Sequence, residues 1–329
     1  MPGRTLIVGT GRGVPERVLT NFDLEKMVDT SDAWIVERTG IRERRLVGKG
    51  QKSSDLATIA GREACRKAGI DPKTLDCIIV GTVTPDQPLP CTAVFVQKNL
   101  GANGCAAFDI AAACAGFIYG ISLGDALIRR GQFKRVLVIG VEVLSPVIDW
   151  TDRNTCVLFG DGAGAVVLTE GDGAGDRGIW STHLFADGDG AEHLYIPGGG
   201  TAMPASVESV NARQHYVKMA GQEVFKHAVK NMTRAAQIAL EHNGLDVEKI
   251  DRAIVHQANM RIVEGVAKGV GIPLEKFYIN IERYGNTSSA SIPIALDEAV
   301  EAGAVKQGDL LLMAALGAGF SWGSAVVRL

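Results

Sequence analysis

Cys114 sits in AAACAGF (111–117), between a run that reads as a strand and one that reads as a helix. A thiol at a helix start feels the positive end of the helix dipole, which favours the thiolate nucleophile. Its own N–H points outward there and could meet an oxyanion. The small neighbours permit a tight turn and a close approach. The same residues also suit a structural cysteine in an alanine-rich packing seam. Of the six histidines, His183, His193, His215, His227 and His242 lie in polar or ordinary helical contexts. His256 differs, because it ends the apolar run of AIVHQAN (253–259), at the tip of an expected strand. Ligands collect at such tips in open α/β sheets, although a satisfied core histidine is the plainer alternative. Asn286, in YGNTSSA (284–290), follows FYINI (277–281) and opens a helix. It is a candidate fixed donor or an N-cap. LGAGFSWGSAVV (316–327) is a glycine-rich turn between two strands, able to present backbone N–H groups to an oxyanion or to be a simple hairpin.

The elements that must position these groups read as a duplication. GIDPKTLDCIIV (69–80) and GLDVEKIDRAIV (244–255) share Gly, Asp, Leu/Ile, Asp, Ile and Val at one offset. Gly131 followed by RVLVIG (135–140) is echoed by Gly303 followed by DLLLMAA (309–315). Two similar halves are expected, 1–171 and 172–329, divided in the Gly/Asp-rich stretch from Gly171 to Gly178. Strands are expected at 5–9, 77–82, 105–110, 135–141 and 163–169, then at 179–185, 252–256, 277–281, 309–315 and 324–329. Long helices are expected at 54–68, 114–130, 222–242, 261–269 and 288–302. Several strands are unbroken Val/Ile/Leu runs, which fits sheets covered on both faces. In such a duplication the turn at Asn286 mirrors the turn at Cys114, so both aim at one central point.

Composition excludes other classes. The chain has 329 residues, with 34 Lys+Arg against 37 Asp+Glu for a net charge of −3, so no basic coat for nucleic acid is present. The start, MPGRTLIVGTG, is not a signal peptide, and the cytosol is the expected compartment. The uncharged run Ile110–Gly124 falls short of the roughly 20 residues of a membrane span. None of the six cysteines forms CxxC, so free thiols are expected and no metal site. Two glycine-rich segments are decoys for nucleotide binding. VGTGRGVPE (8–16) has Val14 where the fingerprint needs its third glycine, and Pro15 next to it. FGDGAGA (159–165) precedes a strand rather than a helix.

The set AAACAGF, VHQAN, YGNTSSAS and GAGFSWGSA, in this order, resembles the thiolase-like condensing enzymes, closest to β-ketoacyl-acyl carrier protein synthase III, over essentially the whole chain. The resemblance implies an α/β thiolase-like duplicated fold, with buried mixed sheets in an α-β-α-β-α layering. It implies that Cys114 attacks an acyl-CoA thioester, with the N–H groups of Cys114 and Ala318 as oxyanion hole; the family usually has Gly where Ala318 stands. Malonyl-acyl carrier protein would then lose CO2, His256 and Asn286 holding the enolate. Acyl-CoA would be a substrate, with no cofactor and no metal. Family CoA positions match Trp34 and Arg38 in DAWIVERTGI (32–41), Arg153 in TDRNT (151–155), and Asn259 and Arg261 in HQANMR (256–261).

Phe225 matches an acyl-pocket wall. Leu89, in PDQPLPCTA (85–93), matches a position that reaches into a partner's pocket. Leu89 and Leu316 stand where acetyl-specific members commonly carry Phe, so starters longer than acetyl are expected. Arg42, Arg44, Arg45 and Lys49 form a basic run that could meet an acidic carrier protein or be a solvated loop. A homodimer pairing through CAAFDI (105–110) is implied. The alternative reading is a CoA-dependent acyltransferase of secondary metabolism with the same fold and no carbon–carbon bond formation. A non-catalytic partner subunit is the third, and the intact Cys, His and Asn set argues against it.

Overall fold

The computed structural model describes residues 3–171 and 175–329. In chain order its strands are β1 (Thr5–Gly13), β2 (Arg17–Thr20), β3 (Glu43–Leu46), β4 (Cys77–Gly81), β5 (Ala106–Ile110), β6 (Arg135–Glu142), β7 (Gly162–Glu170), β8 (Gly178–Ala186), β9 (Leu194–Tyr195), β10 (Lys218–Met219), β11 (Arg252–Val255), β12 (Leu310–Gly317) and β13 (Ser321–Arg328). Its α-helices are α1 (Asn21–Leu24), α2 (Asp32–Thr39), α3 (Ser53–Ala68), α4 (Thr92–Leu100), α5 (Gly116–Arg129), α6 (Arg153–Cys156), α7 (Val207–Asn211), α8 (Gly221–Asn243), α9 (Met260–Val270), α10 (Ile281–Tyr284) and α11 (Ser291–Glu301).

The strands that carry the duplicated motifs form two sheets of matching order. The first runs β1-β7-β6-β4-β5 and the second β8-β13-β12-β11. In both, the first two pairs in these orders (β1–β7 and β7–β6; β8–β13 and β13–β12) are antiparallel and the next (β6–β4; β12–β11) is parallel, and β4–β5 is parallel too. The first sheet uses only residues before 171 and the second only residues after 175; the expected division point falls on 172–174, outside the described residues.

The second sheet lacks a counterpart of β5. The expected strand 277–281 is reduced to a single parallel bridge, Ala253 with Phe277, and Ile281 already opens α10. The reason lies in one side chain. Gln257 Nε2 donates to the Tyr278 carbonyl at 2.9 Å, and its Oε1 accepts from the Asn280 and Ile281 N–H groups at 3.0 and 3.1 Å. A glutamine amide thus substitutes for the ladder that a longer β11 would supply.

Helices α5 and α11 lie between the sheets, while α3 and α4 cover the outer face of the first and α8 and α9 that of the second. This gives the five layers that the resemblance implies. Both faces of the inner strands are therefore buried, as in the wholly buried CIIVG of β4 and LLLMAALG of β12. Each such Ile or Leu removed from water is worth about 1.5–3 kcal/mol.

The glycine decoys are packing devices. Residues 8–13 lie inside β1, not in a loop after it. A Cβ on Gly9, Gly11 or Gly13 would collide with the carbonyls of Ala64, Ala60 or Leu56 on α3. Gly164, within β7, likewise abuts Pro293 and Ile294 of α11. A buried ionic cluster ties α11 to the first half. Asp297, with no exposed side-chain surface, accepts from Thr10 Oγ1 at 2.7 Å, Arg12 Nη1 at 2.5 Å and Lys67 Nζ at 2.6 Å. Glu301 takes the same two cations at 2.6 and 2.7 Å.

Candidate active site

Two short 3-10 turns, Ala113–Ala115 and Ser288–Ala290, precede α5 and α11 and pack against each other at the centre of the molecule. Each begins with a non-glycine residue in the left-handed region, Ala113 at φ 44° and Ser288 at φ 51°. Such backbone is tolerated where the surroundings over-determine it. Glycines permit the close approach. A Cβ on Gly81 would lie 2.7 Å from the Gly116 carbonyl carbon, and one on Gly140 would strike the Ser289 carbonyl.

Cys114 lies inside the first turn, ahead of α5, and is buried. Burial pushes its thiol up to about 12, and the nearby Glu142 carboxylate pushes the same way while the Ser288 hydroxyl pulls down. Burial thus opposes the thiolate that the helix start favours and pushes the resting group toward the thiol. His256 follows β11 at once, its N–H donating to the Ala314 carbonyl of β12 at 2.8 Å. Burial lowers the imidazole to about 4 and keeps it neutral, with Nδ1 lacking a partner. Asn286 is pinned by backbone bonds, its N–H to Leu158 at 2.8 Å and its carbonyl from Gly160 at 3.0 Å. Its Oδ1 accepts the Ser288 N–H at 2.8 Å, which orients the amide and turns Nδ2 away as a donor. The cap-like role and the donor role are thus held by opposite ends of one amide.

Cys114, His256 and Asn286 line one cavity of about 810 Å³, together with Leu316 and Gly317 of β12. Gly317 packs against the Cys114 backbone N–H so closely that a Cβ there would collide with it. Ala318 lies in the turn between β12 and β13 and is not among the lining residues. The inner wall is apolar, with Leu158, Phe159, Val224, Ala228 and Met232.

Trp34, Arg38, Asn259, Arg261 and Phe225 also line this cavity. The Arg38 and Arg153 guanidinium carbons lie 4.9 and 5.4 Å from the Trp34 ring centroid, so the indole is flanked by two cations. Arg153 itself is not in the lining, but its neighbours Asp152 and Asn154 are, and its Nη1 donates to the Asp29 carbonyl at 2.9 Å. Arg261 stands over Phe225 at 5.8 Å. Asn259 is the N-cap of α9: Oδ1 accepts the Arg261 N–H at 2.8 Å, while Nδ2 donates to the Arg38 carbonyl at 3.0 Å. It therefore joins α2 to α9 as well as facing the cavity.

Comparison with known proteins agrees with this geometry. Residues 108–188 match the family described as 3-oxoacyl-[acyl-carrier-protein (ACP)] synthase III, and residues 240–329 match its C-terminal part. The β-ketoacyl-[acyl-carrier-protein] synthase III of Caldanaerobacter subterraneus is 53% identical over 322 residues, 98% of this chain and 97% of that one. That of Sinorhizobium medicae is 48% identical, covering 99% of each chain.

The chain belongs to the β-ketoacyl-acyl carrier protein synthase III family. It is an enzyme of the transferase class. The crystal structure of the Aquifex aeolicus 3-oxoacyl-[acyl-carrier-protein] synthase III superposes with a TM-score of 0.91 at 48% identity, over 99% of this chain and 100% of that one. This places the synthase III chain in the thiolase-like fold.

The structure corrects one further sequence expectation for this chain and adds residues that the sequence reading missed. Arg44 is not on a basic surface. It is fully buried on β3, its Nη1 donating to the Leu19 carbonyl and Asn21 Oδ1 at 3.2 and 2.9 Å and its Nη2 to the Val157 carbonyl at 2.7 Å. Burial lowers its guanidinium to about 10. Strand alternation turns Arg44 inward and leaves the half-buried Arg45 on the opposite face, 3.4 Å from Glu43. Leu89, 83% exposed, does not line the chain's own cavity, whereas Phe225 and Leu316 do. The missed residues are the α8 face Val224, Ala228 and Met232, whose i, i+4, i+8 spacing was readable, and Ser288 and Glu142 beside the thiol. A glutamate closing the apolar run RVLVIGVE was the available signal for Glu142.

No helix among the described residues is long and apolar enough to cross a membrane.

Proposed function

We infer that this chain performs the decarboxylating Claisen condensation of an acyl-CoA starter with malonyl-acyl carrier protein, giving a 3-oxoacyl-acyl carrier protein and initiating fatty acid synthesis. The observation that carries this reading is the convergence of Cys114, His256 and Asn286 on one cavity whose mouth holds Trp34, Arg38 and Arg261. The Cys114 sulfur attacks the starter carbonyl, forming a new thioester and breaking the one to CoA. Because His256 is neutral, it can accept the thiol proton and hand it to the departing CoA sulfur. Backbone N–H groups of Cys114 and Ala318 hold the oxyanion. Only the main chain is needed at Ala318, so a methyl group in place of hydrogen leaves the role intact.

Malonyl-acyl carrier protein then takes the place of CoA. Loss of CO2 leaves a thioester enolate, whose oxygen accepts hydrogen bonds from His256 and the Asn286 Nδ2. The enolate carbon attacks the acyl-Cys114 carbonyl, and the cysteine sulfur leaves and regains a proton. Asn286 cannot ionise and serves as a fixed donor. No metal or redox cofactor enters any step; acyl-CoA is a substrate. Trp34, between two guanidinium groups, offers a face for the adenine, and Arg38, Arg153 and Arg261 offer charge for the phosphates. Asn259 orients this mouth.

We read the protein as a homodimer. β5 is the edge of the first sheet and is half-buried along its whole length, and Leu89 stands exposed nearby in sequence. Pairing β5 with a second copy would extend the sheet and cover that edge. The decisive experiment incubates the enzyme with a series of acyl-CoAs, weighs the intact acyl-enzyme, and then measures CO2 released from malonyl-acyl carrier protein. An acyl-enzyme that forms without any CO2-coupled condensation would favour a simple acyltransferase and overturn this reading.

A further inference from the structure

Glu142, the last residue of β6, has a completely buried carboxyl group with no cation on it. All its hydrogen-bond partners are neutral. Thr84 Oγ1 donates to Oε2 at 2.5 Å and Thr82 Oγ1 at 3.3 Å, and the Val83 N–H reaches both oxygens at 3.2 Å. From the second 3-10 turn, the Ser288 and Ser289 hydroxyls donate to Oε1, each at 3.3 Å. An amide would satisfy several of these donors without placing an unpaired charge in the core. Burial pushes the carboxyl group up to about 7.

The turn that carries Ser288 packs on the turn that carries Cys114, and the Ser288 hydroxyl pulls the Cys114 thiol down. That hydroxyl has one proton and two acceptors to choose between. With Glu142 ionised, that proton goes to the carboxylate, the serine lone pairs face the sulfur, and the sulfur keeps its own proton. With Glu142 protonated, the serine proton is free to turn to the sulfur, and the neighbouring like charge is gone. The groups that bond Glu142 from the segment after β4 and from the second turn are neutral hydroxyls and an amide, and Cys114 of the first turn is the titratable group that its charge reaches.

We propose that Glu142 is a positioning residue which, through the Ser288 hydroxyl, sets the direction of the hydrogen bond at Cys114 and so governs when the sulfur releases its proton. This rests on Cys114 being the nucleophile. The S–H bond of Cys114 breaks as an N–H bond forms on His256 or an O–H bond forms on water.

The test is the pH profile of iodoacetamide alkylation at Cys114, read by peptide mass spectrometry, in wild type, Glu142→Gln, Ser288→Ala and the double variant. Removing the charge should move the Glu142→Gln midpoint down by about one pH unit, a roughly tenfold faster alkylation at neutral pH. In the Ser288→Ala background at least half of that shift should vanish. An unchanged Glu142→Gln profile in a protein of normal melting temperature overturns the proposal. So does a full shift retained without Ser288, which would be a through-space charge effect. If Glu142→Gln does not fold, wild type and Ser288→Ala suffice: the wild-type profile should bend near neutral pH as Glu142 ionises, and the bend should flatten without Ser288. A bend of unchanged size counts against the relay. Alkylation needs no substrate, so acyl label found elsewhere than on Cys114 would strike the nucleophile assignment alone.

Discussion

The turns Ala113–Ala115 and Ser288–Ala290 share a backbone and differ in every side chain that matters. Both are 3-10, both begin in the left-handed region, and both feed a helix of the central layer. The first carries only methyl groups around its thiol. The second opens with two serines, with Asn286 holding the Ser288 N–H and the serines reaching Glu142. Duplicated backbone brings two helix starts to one point, and divergence of side chains divides the work between them. On the proposed function, one turn makes the covalent bond and the other supplies oriented donors.

The strongest way to break this division is at the sulfur. Cys114→Ala should abolish acyl-enzyme formation, read by intact mass, while malonyl decarboxylation persists because His256 and Asn286 remain. Acyl label on the variant would mean that the first turn is not the one that bonds. Next in size are the donors. His256→Ala and Asn286→Ala should each lower decarboxylation by about two to three orders of magnitude, the usual cost of a lost oxyanion donor. Acylation of Cys114 should suffer less from Asn286→Ala, and equal losses in both half-reactions would erase the distinction between the turns.

A stability measurement sharpens the same comparison. Glu142, which the second turn touches, ionises near 4.5 in the unfolded chain and near 7 in the native one. Between those values the unfolded state sheds its proton first, so the wild type loses stability as pH rises, on the order of a few kcal/mol by one pKa unit to 1.36 kcal/mol. Glu142→Gln should lack that slope. Its melting temperature relative to wild type should climb from pH 4.5 to above pH 7, and a constant gap would show that the carboxyl group does not titrate there.

The smallest effect concerns the starter. With Leu at 89 and 316 and an apolar inner wall, kcat/KM should favour acyl-CoAs longer than acetyl. Each added CH2 contributes about 0.8 kcal/mol, roughly fourfold. Leu316→Phe should shorten the preferred chain from within the cavity, and Leu89→Phe should do so only across a dimer. A steep acetyl preference in the wild type would rule this out.

Much of this was legible before the fold. His256 ends an apolar run, while Cys114 and Asn286 each stand between a run that reads as a strand and one that reads as a helix, and apolar runs mark strands whose tips converge. The α/β duplication showed in repeated Gly-Asp-Ile-Asp spacing. Three features were not legible, for different reasons. The strand at 277–281 had the right residue types, but a glutamine from the neighbouring element took its hydrogen bonds. Arg44 sits in a run of like charges, yet strand alternation turned it into the core. The thiol's state depended on burial, which no local motif reports.

By itself the sequence determined which residue types are present to do chemistry and the order of strands and helices, because periodicity and repeats are properties of neighbours along the chain. Tertiary structure alone decided how the two turns meet, that burial pushes the resting cysteine toward the thiol, that His256 is neutral, and that Glu142 sits behind Ser288. Those depend on desolvation and on contacts between residues more than a hundred positions apart, as between Glu142 and Ser288, which are 146 apart in sequence.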